Sequence, residues 1–418
     1  MTVTSTSPAT HDPRPRAGTA AYRRTVIALV AAAVATFAQL WSVQPILPAI
    51  ATGFDTSAGQ AALAVSLATG GLAGFTLIWS GAADRIGRAR VIALSLLLAI
   101  VLGAAIPFSA ELWTLLVLRT LQGAALGGVS AAAVAYLAEE IHPRDAPKAT
   151  GLYIAGNPLG GMGGRLLAGF AAEHGGWQWG VAANTLLGLA ALLVFVLVLP
   201  RHKTGTGAPA RRFGSDDGLS MGQRLKAAMT TRGLIPLYAQ ALLLMGAFMA
   251  VYNVLGFRLT DQPFGLSQAV ASLLFLSYTA GMLGSAMAGN ATLRWGRYGV
   301  LTTATLLLLL GLGGLFTTSV WLLLATLLLL TFAFFCAHAT ASAWVGSQAV
   351  TGRAQAAAVY TLAYYLGASL FGWLGGVVYD AVGWNGTVAL ALGLTVLAGL
   401  FALRLRKLPA PEPATRAF

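Results

Sequence analysis

Charged residues are scarce in this chain of 418 residues: 9% are charged, against 57% that are hydrophobic. An average soluble domain has about 25% charged residues, which cover its water-facing surface. The single cysteine, Cys336, excludes a disulfide framework and any metal site built from several cysteines. Acidic residues are fewer than basic ones, 13 against 26. The composition therefore excludes an ordinary soluble globule and leaves nucleic acid or a membrane as the reason for the basic excess.

Long apolar runs take the place of the missing charges. A helix that spans a bilayer needs about 20 mostly apolar residues. Strands of a membrane barrel alternate in polarity, which runs such as residues 305–310 do not. The runs predict an all-α polytopic membrane protein with twelve transmembrane helices, near 25–50, 59–82, 91–108, 112–138, 150–172, 178–199, 234–257, 268–290, 299–317, 320–346, 354–378 and 383–403.

The basic residues predict how these helices are oriented. Of the 26 Lys and Arg residues, 23 fall in segments on one side of the predicted spans, and only Arg258 falls on the other side. Because cytoplasmic loops are rich in Lys and Arg, both termini are predicted to be cytoplasmic, and no nucleic-acid partner is needed. The predicted organisation is a disordered tail (1–24), a first six-helix bundle (25–199), a polar linker (200–233), a second bundle (234–406) and a tail (407–418).

Two short patterns recur between the halves of the chain. The sequence D-R-I-G-R at 84–88 has a weaker copy, L-R-W-G-R, at 293–297, 209 positions later. A glycine, an acid and a tryptophan, each four residues apart, occur at 169–177 and again at 376–384, 207 positions later. Two matches in the same order at nearly one offset predict two related halves. Transporters built from such repeats place their substrate site between the halves.

Two motifs resemble those of the major facilitator superfamily. The loop at 80–90 resembles the signature between its second and third helices, with Ser80 in place of the leading glycine. Arg119, Gln122 and Gly123 resemble its second motif, R-x-x-Q-G. The resemblance implies two pseudo-symmetric six-helix bundles, the major facilitator fold, and transport by a monomer through alternating access.

Further stretches are similar to the acriflavine-sensitivity or drug–proton antiporter-like subfamily of bacterial inner-membrane transporters. They are W-S-V-Q-P-I-L-P at 41–48, E-E-I-H-P at 139–143 and the glycine-proline stretch at 156–165. Many drug–proton antiporters carry an acid four residues before the proline of the first helix, where this chain has Trp41. The subfamily resemblance implies proton-coupled export from the cytoplasm through the inner membrane.

The resemblance also implies a gate at the predicted cytoplasmic ends of the helices. In the family, charge contacts made by the loop after the second helix hold one conformation and are released during transport. The gating residues carried over are Asp84, Arg85, Gly87, Arg88 and Glu139. The alternatives are that the loop is a tight turn set by topology and that Glu139 is a solvated helix end.

Arg119 and Arg165 lie within predicted spans, where a charge is expensive and usually faces a partner or a water-filled cavity. No acid lies deep in a span, and the nearest are Glu111 and Glu173 at helix ends. The arginines therefore either extend outward to those acids or face a cavity that holds an anion. His338 is the only side chain deep in a span that titrates near neutral pH in water. It is a candidate for proton coupling or a hydrogen-bonded structural residue.

Neutral polar and aromatic side chains complete the predicted binding site. Such groups line mostly apolar cavities in other proteins, and they also join helices to one another. The predicted substrate-binding residues are Gln39, Trp41, Gln44, Arg119, Gln122, Asn157, Arg165, Asn253, His338 and Tyr364.

The function predicted from the sequence is secondary active transport by alternating access, with proton-coupled efflux of amphipathic or drug-like compounds. The alternative is an organic-anion transporter that uses Arg119 and Arg165 in a cationic cavity. A membrane enzyme would need clustered His, Asp, Glu or Cys near one face, and a sensor would usually add a soluble domain. The expected partners are a small-molecule substrate, protons and the lipid bilayer, with no cofactor or metal.

Overall fold

The computed structural model describes residues 12, 14–200, 219–406 and 408. Regular structure in this part of the chain is helical throughout, with two 3-10 turns at Ile106–Phe108 and Leu274–Ser277. The helices are α1 (Ala20–Trp41), α2 (Leu47–Gly53), α3 (Ala58–Ile86), α4 (Arg88–Ala105), α5 (Leu112–Glu140), α6 (Ala146–Val198), α7 (Met221–Thr230), α8 (Leu234–Thr260), α9 (Gln268–Leu273), α10 (Tyr278–Gly314), α11 (Val320–Gln348) and α12 (Arg353–Leu403). The predicted all-α class is confirmed.

Three helices are interrupted by a glycine in a left-handed conformation. Gly176 in α6, Gly296 in α10 and Gly383 in α12 each have φ of 72°, which only glycine adopts readily. With 53 residues, α6 would be about 80 Å long if straight, more than twice the hydrocarbon thickness of a bilayer. Instead it folds back at the break, so that the side chain of Asn184 donates to the carbonyl oxygen of Gly164 (3.0 Å).

These breaks account for the number of membrane crossings. Nine helices in the described ranges are long and apolar enough to span a membrane. Three of them are broken at a glycine and are long enough to cross twice, so the described ranges provide twelve crossings, the number that the hydropathy predicts. Apolar side chains such as Leu77 (73% exposed) and Leu310 (65% exposed) cover the outside of the molecule, where the bilayer surrounds it.

The first span is shorter than predicted. The sequence predicts a helix over 25–50, but α1 ends at Trp41 and a turn leads into α2. Pro45 has no N–H to bond the carbonyl of Trp41, so the helix cannot continue through it. The turn is closed instead by the N–H of Gln44, which donates to the Trp41 carbonyl (3.1 Å). Gln44 therefore lies in a turn and not in the first helix.

The predicted tails and linker fall partly outside the described residues. Within the predicted tail 1–24, α1 already begins at Ala20, and the N–H of His142 donates to the carbonyl oxygen of Pro15 (3.1 Å). Within the predicted linker 200–233, residues 221–230 form α7. Residues 201–218, and all but Leu408 of the predicted tail 407–418, lie outside the described residues.

Close glycine contacts join the same pairs of helices in both halves. In the first half α6 lies against α1, and a methyl group added to Gly160 would lie 2.6 Å from the Cα of Val34. In the second half α12 lies against α8, and a methyl group on Gly375 would lie 2.6 Å from the Cα of Ala250. The related contacts are consistent with the two halves that the sequence repeat predicts.

The helix ends define two faces of the molecule. The first, which we call the basic face, carries the turns at 87, 141–145, 296 and 349–352, with Arg85, Arg88 and Arg90. The second, which we call the opposite face, carries the turns at 42–57, 106–111, 176, 261–267, 315–319 and 383. Hydrogen bonds join the two halves near the opposite face, as where Ser369 in α12 donates to the carbonyl oxygen of Ser66 in α3 (2.7 Å).

Candidate functional site

Arg119 lies in α5, fully buried within the first half. Its guanidinium donates to the carbonyl oxygens of Ala64 in α3 (3.1 Å) and of Gln39 (3.0 Å) and Leu40 (2.7 Å) in α1. It also donates to the side-chain oxygen of Gln122 (2.5 Å), whose amide donates in turn to Oε1 of Gln39 (3.3 Å). Arg119 therefore neither reaches an acid nor has an exposed surface in this conformation, and it ties three helices together.

Arg165 lies between the two halves. Its Nε donates to Oε1 of Gln44 (2.6 Å), Nη1 to the carbonyl oxygen of Gly161 (2.8 Å) and Nη2 to the hydroxyl of Tyr278 at the start of α10 (3.2 Å). Gln44 also donates to Oδ1 of Asn253 in α8 (2.7 Å). The structure thus brings together Gln44, Arg165 and Asn253, three of the residues predicted to bind substrate.

Aromatic rings surround the Arg165 guanidinium. The centroids of Trp41, Phe275 and Tyr278 lie 4.9, 5.2 and 4.6 Å from it, within the range of cation–π attraction. Among the residues that the structure describes, no carboxylate forms an ion pair with Arg165. The positive charge is therefore held by dipoles and ring faces alone.

A chain of aromatic side chains runs from this site into the second half. Phe248 in α8 stacks on Tyr252 (4.4 Å between centroids) and on Phe334 in α11 (4.2 Å), and its edge meets Tyr278 (5.8 Å). Phe334 leads on to His338, one helical turn along α11 (6.1 Å). The Arg165 site and the surroundings of His338 are therefore connected by continuous ring contacts.

His338 lies where α8, α11 and α12 pack against one another. The hydroxyl of Tyr360 lies 3.1 Å from its Nδ1 and 3.2 Å from its carbonyl oxygen, and the ring of Tyr364 lies 4.7 Å away. The space between these helices is lined by Gln240, Ala241, Leu244, Phe334, His338, Ala341 and Tyr360, and in this conformation it is too small to hold a water molecule. Oε1 of Gln240 is buried and has no hydrogen-bond partner within the described ranges. The wall is thus apolar with a few hydrogen-bonding groups.

Asn157 lies in α6. It takes no part in the hydrogen bonds around Arg165 and His338. Its Oδ1 is buried, and none of the described residues donates a hydrogen bond to it. Its role in substrate binding stays a prediction.

The predicted gating residues cluster on the basic face. Arg88 at the start of α4 forms an ion pair with Glu139 at the end of α5 and lies 3.7 Å from Asp84 in α3. Gly87, with φ of 93°, makes the turn between α3 and α4, and Arg85 is exposed beside it. The ion pairs join helices of the first half to one another, so the gating role stays a prediction.

The second-half copy of this loop forms a similar but uncharged contact. Arg297 donates to the hydroxyl of Ser347 near the end of α11 (2.6 Å). The weaker second copy of the motif therefore lacks the carboxylate that pairs with the arginine in the first half.

Sequence reasoning predicted Trp41 and Tyr364 but missed Gln240 and most of the aromatic residues of the site. The missed aromatic residues are Phe248, Tyr252, Phe275, Tyr278 and Phe334. A signal was available, because Phe248 and Tyr252, and Phe334 and His338, are spaced by four residues and so share a helix face. The partners across helices, in contrast, depend on the tertiary arrangement.

Comparisons with known proteins agree with this architecture. The chain matches the Major Facilitator Superfamily over residues 29–261 and 237–418. It is 38% identical over 392 residues to the inner membrane transport protein YnfM of Escherichia coli. This match covers 93% of this chain and 92% of YnfM. It is 28% identical over 226 residues to the chloramphenicol resistance protein CraA of Acinetobacter baumannii, 54% of each chain.

A solved structure supports the fold. The nucleoside transporter NupG superposes with a TM-score of 0.75 over 92% of this chain and 100% of NupG, at 13% sequence identity. The likeness at this identity concerns the fold alone. Together with the family match over most of the chain and the identity to YnfM, it leads to one conclusion: the chain is a multi-pass membrane transporter and not an enzyme, and it belongs to the Major Facilitator Superfamily.

Proposed function

We propose that the protein exports small amphipathic molecules across a bacterial inner membrane in exchange for protons, as a monomer with both termini in the cytoplasm. The side chains around His338 carry this proposal. They are aromatic and aliphatic with a few hydrogen-bonding groups, and a pathway that opens between them would suit molecules with a large apolar part. The antiporter-like motifs and the name of the relative CraA support an export function.

We assign the proton-carrying role to His338. Trp41 occupies the position at which many antiporters of this kind have an acid, and no described Asp or Glu lies as deep in a span as His338. The hydroxyl of Tyr360 has two acceptors within reach, Nδ1 and the carbonyl oxygen of His338. When Nδ1 takes a proton, Tyr360 turns its O–H to the carbonyl and accepts from the imidazolium. Protonation thus changes the polarity of the side chains around His338 and their affinity for an apolar substrate.

The test is transport of chloramphenicol in proteoliposomes with an imposed pH gradient. We expect the wild-type protein to move chloramphenicol in the direction opposite to the proton flow that the gradient drives. His338→Gln is expected to lower this gradient-driven rate at least about tenfold. The matched control is His174→Gln, because His174 is exposed near the end of a span. Gradient-driven transport that survives in His338→Gln would contradict the assignment.

A second function is favoured by one observation: no carboxylate of the described residues forms an ion pair with Arg165. An aromatic organic anion would supply the missing negative charge and stack on Trp41, Phe275 or Tyr278. This alternative makes the protein an organic-anion transporter. Arg119 contributes less to it, because its hydrogen bonds are made to Gln122 and to backbone carbonyls.

Benzoate and its uncharged isostere benzamide separate the two functions. If the site takes anions, benzoate raises the thermal unfolding temperature of the purified protein and benzamide does not, and Arg165→Gln removes the difference. If both compounds act alike in the wild-type protein and in Arg165→Gln, the anion function is excluded. The same measurement on Arg119→Lys shows whether that arginine takes part.

A further inference from the structure

The repeated glycine–acid–tryptophan pattern forms contacts between the two halves. Asp380, near the end of the first crossing of α12, accepts hydrogen bonds from the backbone N–H groups of Ala58 (2.9 Å) and Gly59 (2.8 Å) at the start of α3. Glu173, at the corresponding place in α6, accepts from the N–H of Ala269 in the first turn of α9 (3.0 Å). The acid of each half therefore binds the beginning of a helix in the other half.

The glycines of the pattern allow these approaches. Gly376 lies one turn before Asp380, and a methyl group there would be 2.7 Å from the Cα of Gly59. Gly169 lies one turn before Glu173, and a methyl group there would be 2.3 Å from the Cβ of Ser272. In both halves the glycine lets two helices touch, and the acid on the same side of the helix binds the N–H groups beyond the contact.

We propose that these two contacts form a paired clasp that holds the opposite face closed, and that each transport cycle opens and remakes it. The paired clasp consists of Gly169 and Glu173 against α9 together with Gly376 and Asp380 against α3. The inference rests on the proposed exchange and on the alternating access that the sequence predicts, and it assigns Glu173 and Asp380 as positioning residues for that motion.

The chemistry of the clasp suits a contact that must be reversible. The first N–H groups of a helix have no acceptor within the helix, and the helix dipole favours a negative charge beside them. Both acids are exposed at the rim of the opposite face. When the halves separate there, water replaces each partner, so neither the carboxylates nor the N–H groups are left unsatisfied. The bonds therefore bias the closed state without locking it.

Spin-label distances measure the opening directly. The labels go on Ala110→Cys in the first half and Thr318→Cys in the second, both exposed on the opposite face, in the background Cys336→Ser. The full-length protein is placed in lipid nanodiscs without substrate.

The test variants are Glu173→Gln, Asp380→Asn and their combination. The matched controls are Glu111→Gln and Asp261→Asn, whose side chains make no hydrogen bond to the other half within the described ranges.

We expect each test variant to raise the ratio of long to short distances by about two- to fivefold, and the double variant by about the product of the two. The controls keep the wild-type distribution. A double variant with the wild-type distribution, or controls that shift as much as it does, would overturn the proposal. Because no substrate is present, this outcome is independent of which compounds the protein transports.

A donor variant covers the case in which the acid variants do not fold. Ala58→Pro removes one N–H that Asp380 binds, and proline is well tolerated at this first position of α3. Its distance distribution is expected to shift as that of Asp380→Asn does. A folded Ala58→Pro with the wild-type distribution counts against the clasp.

Discussion

At the scale of single residues, Arg119 shows how a membrane protein can stabilise a buried charge without an acid. Its guanidinium donates four hydrogen bonds to oxygens on α1, α3 and α5, and three of these oxygens are backbone carbonyls. A guanidinium is planar and carries five N–H donors in fixed directions, so a single side chain can satisfy several helices at once. Arg165 solves the same problem differently, with fewer hydrogen bonds and three aromatic rings.

Removing Arg119 should therefore destabilise the first half. Arg119→Ala removes the hydrogen bonds that the guanidinium donates to the buried carbonyl oxygens of Gln39, Leu40 and Ala64, and a hydrogen bond to a charged group contributes about 1.5–3 kcal/mol. We expect a clear fall in the thermal unfolding temperature of the purified protein. Arg85→Ala is the control, because Arg85 is exposed on the basic face. Equal unfolding temperatures for the two variants would show that the carbonyl contacts of Arg119 contribute nothing.

The sequence predicts which polar residues lie in spans but not what they bind. Arg119, Gln122 and Gln39 stand out because each is polar in an apolar run. Their partners are carbonyl oxygens that every residue carries, and only the tertiary arrangement selects them. Tyr278 was missed for the same reason, since an aromatic residue in an apolar helix looks like any other core residue until the arginine opposite is known.

At the scale of helices, glycine sets how closely α6 approaches α1. Gly160 and Gly164 contact the backbone of α1, whereas Gly163 on the same helix has nothing within reach of an added methyl group. Gly160 and Gly163 both have ordinary helical backbone. Replacing Gly163 by alanine therefore gains helix propensity at no steric cost. The two sites form a matched pair for testing the helix contact.

Gly160→Ala is expected to lower the stability of the protein, while Gly163→Ala leaves it unchanged or raises it by up to about 1 kcal/mol. The reason is that the new methyl group at position 160 would lie 2.4 Å from the carbonyl oxygen of Val34, and a backbone atom cannot move aside. The measurement is thermal unfolding of both variants side by side. If Gly160→Ala is as stable as Gly163→Ala, the contact between α1 and α6 is looser than described.

The hydropathy pattern predicts a helix well where the length and the apolarity of a segment alone decide that it spans the membrane. It fails at the end of the first span, because residues 42–50 are apolar enough to continue a helix that Pro45 ends. It also cannot show that residues 221–230 within the polar linker form a helix, since a ten-residue segment is decided by its Ser220 cap and by contacts with its neighbours.

At the scale of the whole molecule, the two faces differ in charge and in contacts. The turns of the basic face carry arginines, while the opposite face carries hydrogen bonds between the halves. The repeat in the sequence predicted two related halves, but not that its second pattern would lie between them. That placement depends on which helices of the two halves become neighbours.

The positive-inside pattern predicts that the basic face is cytoplasmic. In the background Cys336→Ser, a cysteine at Ala110 on the opposite face should react with a membrane-impermeant maleimide in intact cells. A cysteine at Val350, which is 89% exposed on the basic face, should react only after the cells are permeabilised. The reverse result would mean that the chain is inserted the other way round.

The three glycine breaks have a consequence for biogenesis. At Gly176, Gly296 and Gly383 one crossing passes into the next with no intervening loop. The two crossings of such a pair are joined by a turn of one or two residues, and we expect them to enter the bilayer together as a helical hairpin.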